Sequence, residues 1–152
     1  MIINYQFIEA KGLLIKRYFD EFNLEQHVLS MTEIISQPSW NNVERVLTDA
    51  RELDPRGVYK NIDAIVSFRK EVIKKEYLDV FIVDSPLLTV ATFLMQEKLN
   101  KLNFDFRYCS TVYQAEKLLE ISETDFDLTE HLNSLSKNKL GKLKFIKPII
   151  NL

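Results

Sequence analysis

Glu44-Arg45-Val46-Leu47-Thr48-Asp49-Ala50-Arg51, matched further along by Asp79-Val80-Phe81-Ile82-Val83-Asp84-Ser85-Pro86, decides the fold. Each is a short apolar run closing on an aspartate, the pattern of a strand buried in a parallel sheet with a polar group at its carboxyl end. In an open α/β sheet those ends line the crevice where ligands bind. Asp49 and Asp84 are therefore expected to end neighbouring strands, and with Arg51, Asp54, Arg56 and Ser85 on the adjoining loops they form a candidate ligand or partner edge. Two carboxylates beside a guanidinium suit Mg²⁺ with a phosphate, or an acid/base pair. The preferred reading is structural: the aspartates satisfy loop amides or pair with an arginine, and Ser85 caps a helix that has Pro86 at its first position.

Outward from these strands the chain alternates elements. Upstream, Ile2 to Glu9 and Leu13 to Asp20 are strand-like runs joined by Ala10-Lys11-Gly12, which reads as a hairpin. Asn23 and Gln26 have capping-box spacing, and Leu24, Val28, Met31, Ile34 and Ile35 then recur at helical period until Pro38. Trp40 follows, read as a lid over the edge of the core. After the polar turn Glu52-Leu53-Asp54-Pro55-Arg56-Gly57 a helix carries Ile62, Ile65, Val66, Val72 and Ile73 on one face. The next helix begins at Pro86, and no charged residue appears before Met95. A half-buried helix shows a polar stripe, so this one is expected to be covered on more than one side. Phe104 to Ser110 alternates as a strand, Thr111 and Gln114 open a helix running through Ile121, and Asp127 with Glu130 opens one more short helix. The expectation is an α/β fold: a mainly parallel five-stranded sheet entered through an antiparallel hairpin and backed by about four helices. Residues 1–122 form the domain, and 123–152 a helical and lysine-rich extension.

Composition sets further bounds. With 152 residues, 46% of them hydrophobic, the chain buries one sizeable core. Its first twenty residues carry Glu9, Lys11, Arg17 and Asp20 without an apolar core and cleavage site, so neither a signal nor a transit peptide is expected. No apolar run approaches the roughly 18 residues of a membrane span. A lone cysteine, Cys109, excludes a disulfide framework and a thiolate zinc cluster, so a cytoplasmic protein is expected. The net charge of −2 divides unevenly: the last 21 residues carry five lysines and no acid, and the rest is acidic. An acidic body argues against nucleic acid as partner.

Catalytic motifs are thin. His27 and His131 lie in helical segments with no nucleophile pattern around them, and His27 is expected to be partly exposed. Gly12, Gly57 and Gly141 cannot build a glycine-rich phosphate cradle. Cys109, within a strand, reads as a small hydrophobe rather than a reactive thiol. In the tail, Leu140, Leu143, Phe145 and Ile146 interleave with lysines. They are expected to cover the uncharged helix, in the same subunit or a neighbour, which makes Leu88, Thr92, Leu143 and Phe145 the candidate partner or oligomer surface. The competing reading docks the tail on an anionic membrane or an acidic partner.

From about Ile2 to Ile121 the chain resembles the STAS-like group of small α/β proteins, the anti-sigma-factor-antagonist-like (SpoIIAA-like) fold, in its uncharacterised bacterial branch. The resemblance is carried by VLTDAREL at 46–53, VFIVDSPLLTVATFLM at 80–95 and FRYCSTVYQAEKLL at 106–119. It implies a sheet backed by helices, no cofactor, and work by binding: partner-switching regulation in one branch, lipid or small-ligand carriage in another. The regulatory branch carries a phosphorylatable serine in an Asp-Ser-Ser-Gly motif. Here the nearest stretch is Asp54-Pro55-Arg56-Gly57, without a hydroxyl, so phosphorylation switching does not transfer to it.

Three functions follow as expectations. The first is a non-catalytic binding or regulatory module acting through protein contacts, including a homodimer. The second is a carrier of an apolar small ligand or lipid held between the sheet and the helix at Pro86–Met95. The third is a metal-dependent enzyme using Asp49 and Asp84.

Overall fold

The chain starts as a hairpin because Gly12 adopts the left-handed backbone, φ 56°, that its turn requires. A Cβ there would stand 3.0 Å from the Asn42 carbonyl. This is seen in a computed structural model that describes residues 1–122, 124 and 126–137. Strands β1 (Ile2–Ile8) and β2 (Leu13–Glu21) pair antiparallel across the turn. Helix α1 (Leu24–Ser36) then leads to β3 (Arg45–Asp49), and the two-residue β4 (Leu53–Asp54) precedes α2 (Val58–Glu71). The chain continues through β5 (Leu78–Ile82), α3 (Pro86–Lys101), β6 (Asp105–Cys109), α4 (Val112–Leu118) and α5 (Leu128–Ser134).

The sheet runs β1-β2-β3-β5-β6, with every pair after the hairpin parallel. The α/β class and the hairpin agree with the sequence reading, and the strand count differs. A sixth strand, β4, lies off this path, pairing with the end of β2 at Asp20 and Glu21. Among the described residues the helices agree: four lie within residues 1–122, and α5 is the short helix expected from Asp127. The second apolar unit also shifts: β5 ends at Ile82, so Asp84 lies in the loop beyond it, whereas Asp49 is the last residue of β3.

Helices cover both faces. On the front, Met31 and Ile34 of α1 pack on Leu14 and Val46, while Ile62 of α2 and Leu88, Met95 and Leu99 of α3 pack on Tyr18 and Phe106. On the back, Ala115 of α4, its C-cap Leu119, and Leu128 and Leu132 of α5 cover Leu13, Ile15, Leu47, Val80 and Ile82. Period-2 alternation along β2 thus sends Leu13 and Ile15 backward and Leu14, Lys16 and Tyr18 forward. Trp40 is buried edge-on against Tyr77, 5.4 Å between ring centres, closing the front core as a lid.

The four caps read from sequence form. Asn23, Ser85, Thr111 and Asp127 each accept a backbone N–H three residues on. Among the described residues no helix is long and apolar enough to cross a membrane.

Candidate functional site

At the carboxyl edge the candidate residues neutralise one another. Asp49, 2% exposed, accepts from Arg51 twice, Nε to Oδ1 at 2.9 Å and Nη2 to Oδ2 at 2.9 Å, and from the Arg51 backbone N–H at 3.2 Å. Arg17 of β2 approaches the same carboxylate, Nε to Oδ2 at 3.4 Å. Arg17 also bonds Glu52 and donates from Nη1 to the Leu132 carbonyl at 2.9 Å, which ties α5 to the sheet. These contacts and burial act on Arg51 in opposite senses, with the hydrogen bonds to Asp49 dominating and raising its pKa. Asp54 repeats the motif in solvent: it accepts from the Arg56 N–H at 3.0 Å and Nε at 2.8 Å, which holds its carboxyl below the usual range. Asp49 and Asp54 each accept a loop amide and pair with the arginine two residues on, the structural reading made for Asp49, while Asp84 is exposed in the loop after β5. A carboxylate already faced by two guanidiniums is a poor cation ligand. Among the described residues no group of three or more His, Cys, Asp or Glu is placed to hold a metal ion.

Ser85 Oγ accepts the Leu88 N–H at 3.3 Å as the cap of α3. Replacing Ser85 by alanine is expected to cost about 1 kcal/mol. A shift of the urea midpoint checks this, and an unchanged midpoint refutes a capping role.

The front and back helical layers part company between β5 and β6, since α3 lies in front and α4 behind. The crevice there, about 490 Å³, is where such a sheet places ligands. Its polar groups are tied among themselves. Ser110 bonds Gln114, Cys109 donates weakly to the Thr111 carbonyl, and Lys117 lies over the Tyr113 ring. Burial pushes the Cys109 thiol up, in keeping with a small hydrophobe.

The more unusual chemistry lies inside the front core. A chamber of about 70 Å³ between the sheet and α1–α3 is walled by Phe22, Phe68, Phe81 and Phe106 and floored by Lys16 and Asp79. Lys16 is 3% exposed. Its Nζ donates to the Tyr18 hydroxyl at 3.1 Å and the Met31 Sδ at 3.5 Å. Asp79 Oδ1 is shut from solvent with no partner, and so is Thr48 Oγ1, on the residue registered opposite Lys16. Burial pushes the Asp79 pKa up to about 6 against the pull of Lys16 and Arg69. Arg69 is spoken for: it donates to the Ile73 and Lys75 carbonyls and lies between the rings of Tyr77 and Phe104.

His27 corrects an expectation. It is buried on the inner face of α1, ringed by Tyr18, Phe22 and Phe68, and burial together with Lys16 pushes its pKa down to about 3, so it is neutral. The outer surface of α3 is corrected too. Leu88 and Thr92 point into the core, and the exposed side carries Leu87, Val90 and Phe93. Leu143 and Phe145 lie outside the described residues.

Lys16, Thr48, Asp79 and His27 were missed as a group. Their signal was a charge at an inward position of a strand buried on both faces, but Lys16 and Arg17 stand side by side, and alternation alone does not tell which of them turns inward. No protein-family model matches the chain, and no curated protein matches it.

Proposed function

We propose that this chain is a non-catalytic, cytoplasmic binding module that works through protein contacts, with the outer side of α3 as its contact face. One observation carries the reading: Leu87, Val90 and Phe93, spaced three apart, are 48%, 47% and 46% exposed on a helix whose other side is buried. A stripe of that kind is the anchor pattern of a helix that packs on another helix. The STAS-like order of elements, with its branch of partner-switching regulators, points the same way.

The occupant is a second copy of the chain. Exposed Asp84 precedes the helix and exposed Lys101 ends it, so its two ends carry opposite charge, which suits two copies of α3 packed antiparallel. That arrangement is isologous and closes as a dimer. Three half-exposed side chains are a small area beside a standard interface, so the association is weak and concentration-dependent.

Light scattering on the full chain from micromolar to millimolar protein is the test. The apparent mass is expected to climb toward twice the protomer, while Phe93→Glu stays monomeric and keeps its fold, because the side chain is outside the core. A monomer at every concentration overturns the reading.

A ligand carried between the sheet and α3 is the second reading, favoured by the position of the chamber. At the ~10–15 Å³ that admits one water, about 70 Å³ is room for roughly five or six non-hydrogen atoms, too little for an acyl chain, and the floor is charged.

A further inference from the structure

We propose that the chamber beneath α1–α3 is a binding site for a small hydroxy-monocarboxylate of two or three carbons, its carboxylate on Lys16 and its hydroxyl on Asp79. This goes beyond the contact reading and stands independently of it.

Lys16 is the first argument. An ammonium inside a protein is ordinarily paired with a carboxylate or several oxygens. Here its partners are one phenol and a thioether, a weak acceptor. Asp79 is the second. It lines the same chamber without forming an ion pair to Lys16, and its Oδ1 is a buried acceptor lacking a donor. The Thr48 hydroxyl beside Lys16 is likewise unpartnered. Cation and carboxylate are thus held on one floor, with the hydroxyl on the strand position next to Lys16, without satisfying one another.

Charge and shape choose the ligand. Lys16 and Arg69 outweigh Asp79 by one positive charge while His27 stays neutral, so the missing partner is a monoanion. An unpartnered Asp79 oxygen calls for a hydroxyl donor on the same molecule. The walls are phenyl rings, which suit a methylene or methyl group, and the volume limits the body to two or three carbons.

Sodium glycolate is the probe, titrated into the full chain, with sodium chloride at equal ionic strength and sodium acetate alongside. Glycolate is expected to raise the melting temperature saturably where chloride does not, since a ligand of the native state stabilises it. Acetate, lacking the hydroxyl, is expected to bind at least tenfold more weakly. Backbone amide shifts in ¹H–¹⁵N spectra are expected to centre on Lys16, Thr48 and Asp79. Lys16→Met, which keeps the length of the side chain without its charge, is expected to fold and to lose at least tenfold in affinity. Lys16→Met/Asp79→Asn, with both charges gone, repeats the test should the single variant not fold. The proposal is overturned by a glycolate response no larger than that of chloride, which would mean water only in the chamber. It is equally overturned by shifts centred elsewhere, by acetate matching glycolate, or by a variant that responds like the wild type.

Discussion

Replacing Asp49 by alanine is expected to cost about 3–5 kcal/mol, the loss seen when one partner of a buried charge pair is removed. The chemistry behind the figure is local. Asp49 faces Arg17 and Arg51 at once, and Arg17, 11% exposed in its side chain, also holds the Leu132 carbonyl and Glu52. Without the carboxylate, two guanidiniums are left side by side at the end of β3, and the fastening of α5 loosens with them. For a chain of this size the melting temperature is expected to fall by about 10 °C or more. Asp54→Ala is the control: it breaks the same kind of pair on the surface and is expected to leave the melting temperature where it is. Equal effects from the two substitutions would refute the assignment of Asp49 as a structural hub.

The second large effect is in acid, where two buried groups act with opposite sign. His27 is neutral in the fold with a pKa of about 3, against 6.5 when unfolded. Below pH 6.5 the unfolded chain takes up a proton that the folded chain refuses, so this group removes stability as pH falls toward 3. At about 1.4 kcal/mol per pH unit the ceiling is about 5 kcal/mol. Asp79 runs the other way. Its pKa is about 6 in the fold and 3.8 in the reference state, so the folded chain is protonated first and gains stability as pH falls from 6 to 3.8, up to about 3 kcal/mol. Facing these groups are Lys16 from β2, Arg69 from α2 and Tyr77 ahead of β5. Urea unfolding at pH 7 and pH 4 separates them. Relative to wild type, Asp79→Asn is expected to become more acid-labile and His27→Phe less so, each by about 3 kcal/mol over that interval. Parallel profiles for all three chains would show that neither group is buried in the state described.

Much of the architecture was legible because local and global signals agreed. Asn23, Ser85, Thr111 and Asp127 are short polar acceptors placed ahead of apolar periodicity, and a cap needs nothing from the rest of the molecule. The aspartate-ended strands were equally readable, although a pattern of apolar residues does not say where pairing stops, so Asp84 was set at a strand end rather than in the loop beyond. Strand β4 was out of reach: two residues have no period, and they pair only because β2 runs on past β3. On α3 the lack of charge hid the phase. Leu87, Val90 and Phe93 look like core residues in sequence, so Leu88 and Thr92 were given the outer face that belongs to their neighbours. The chamber was hidden for the opposite reason. Lys16 and Asp79 look like solvent-facing positions, and only the helices packed over the sheet turn them into interior ones.

The sheet order has a consequence for a chain leaving the ribosome. Because β1, β2, β3, β5 and β6 lie side by side in the order in which they are synthesised, each new strand docks on the edge its predecessor left, and none has to be threaded between two already paired. Only the hairpin is a local pairing; the parallel pairings that follow join residues about thirty apart and form more slowly. The two faces are not served equally, however. From β2 on, the front receives a helix between successive sheet strands, whereas Leu13, Ile15, Leu47, Val80 and Ile82 on the back wait for α4 and α5, which follow β6. During translation the nascent sheet therefore carries a bare aliphatic surface until residues 112–135 emerge, and that interval is when a chaperone has most to do.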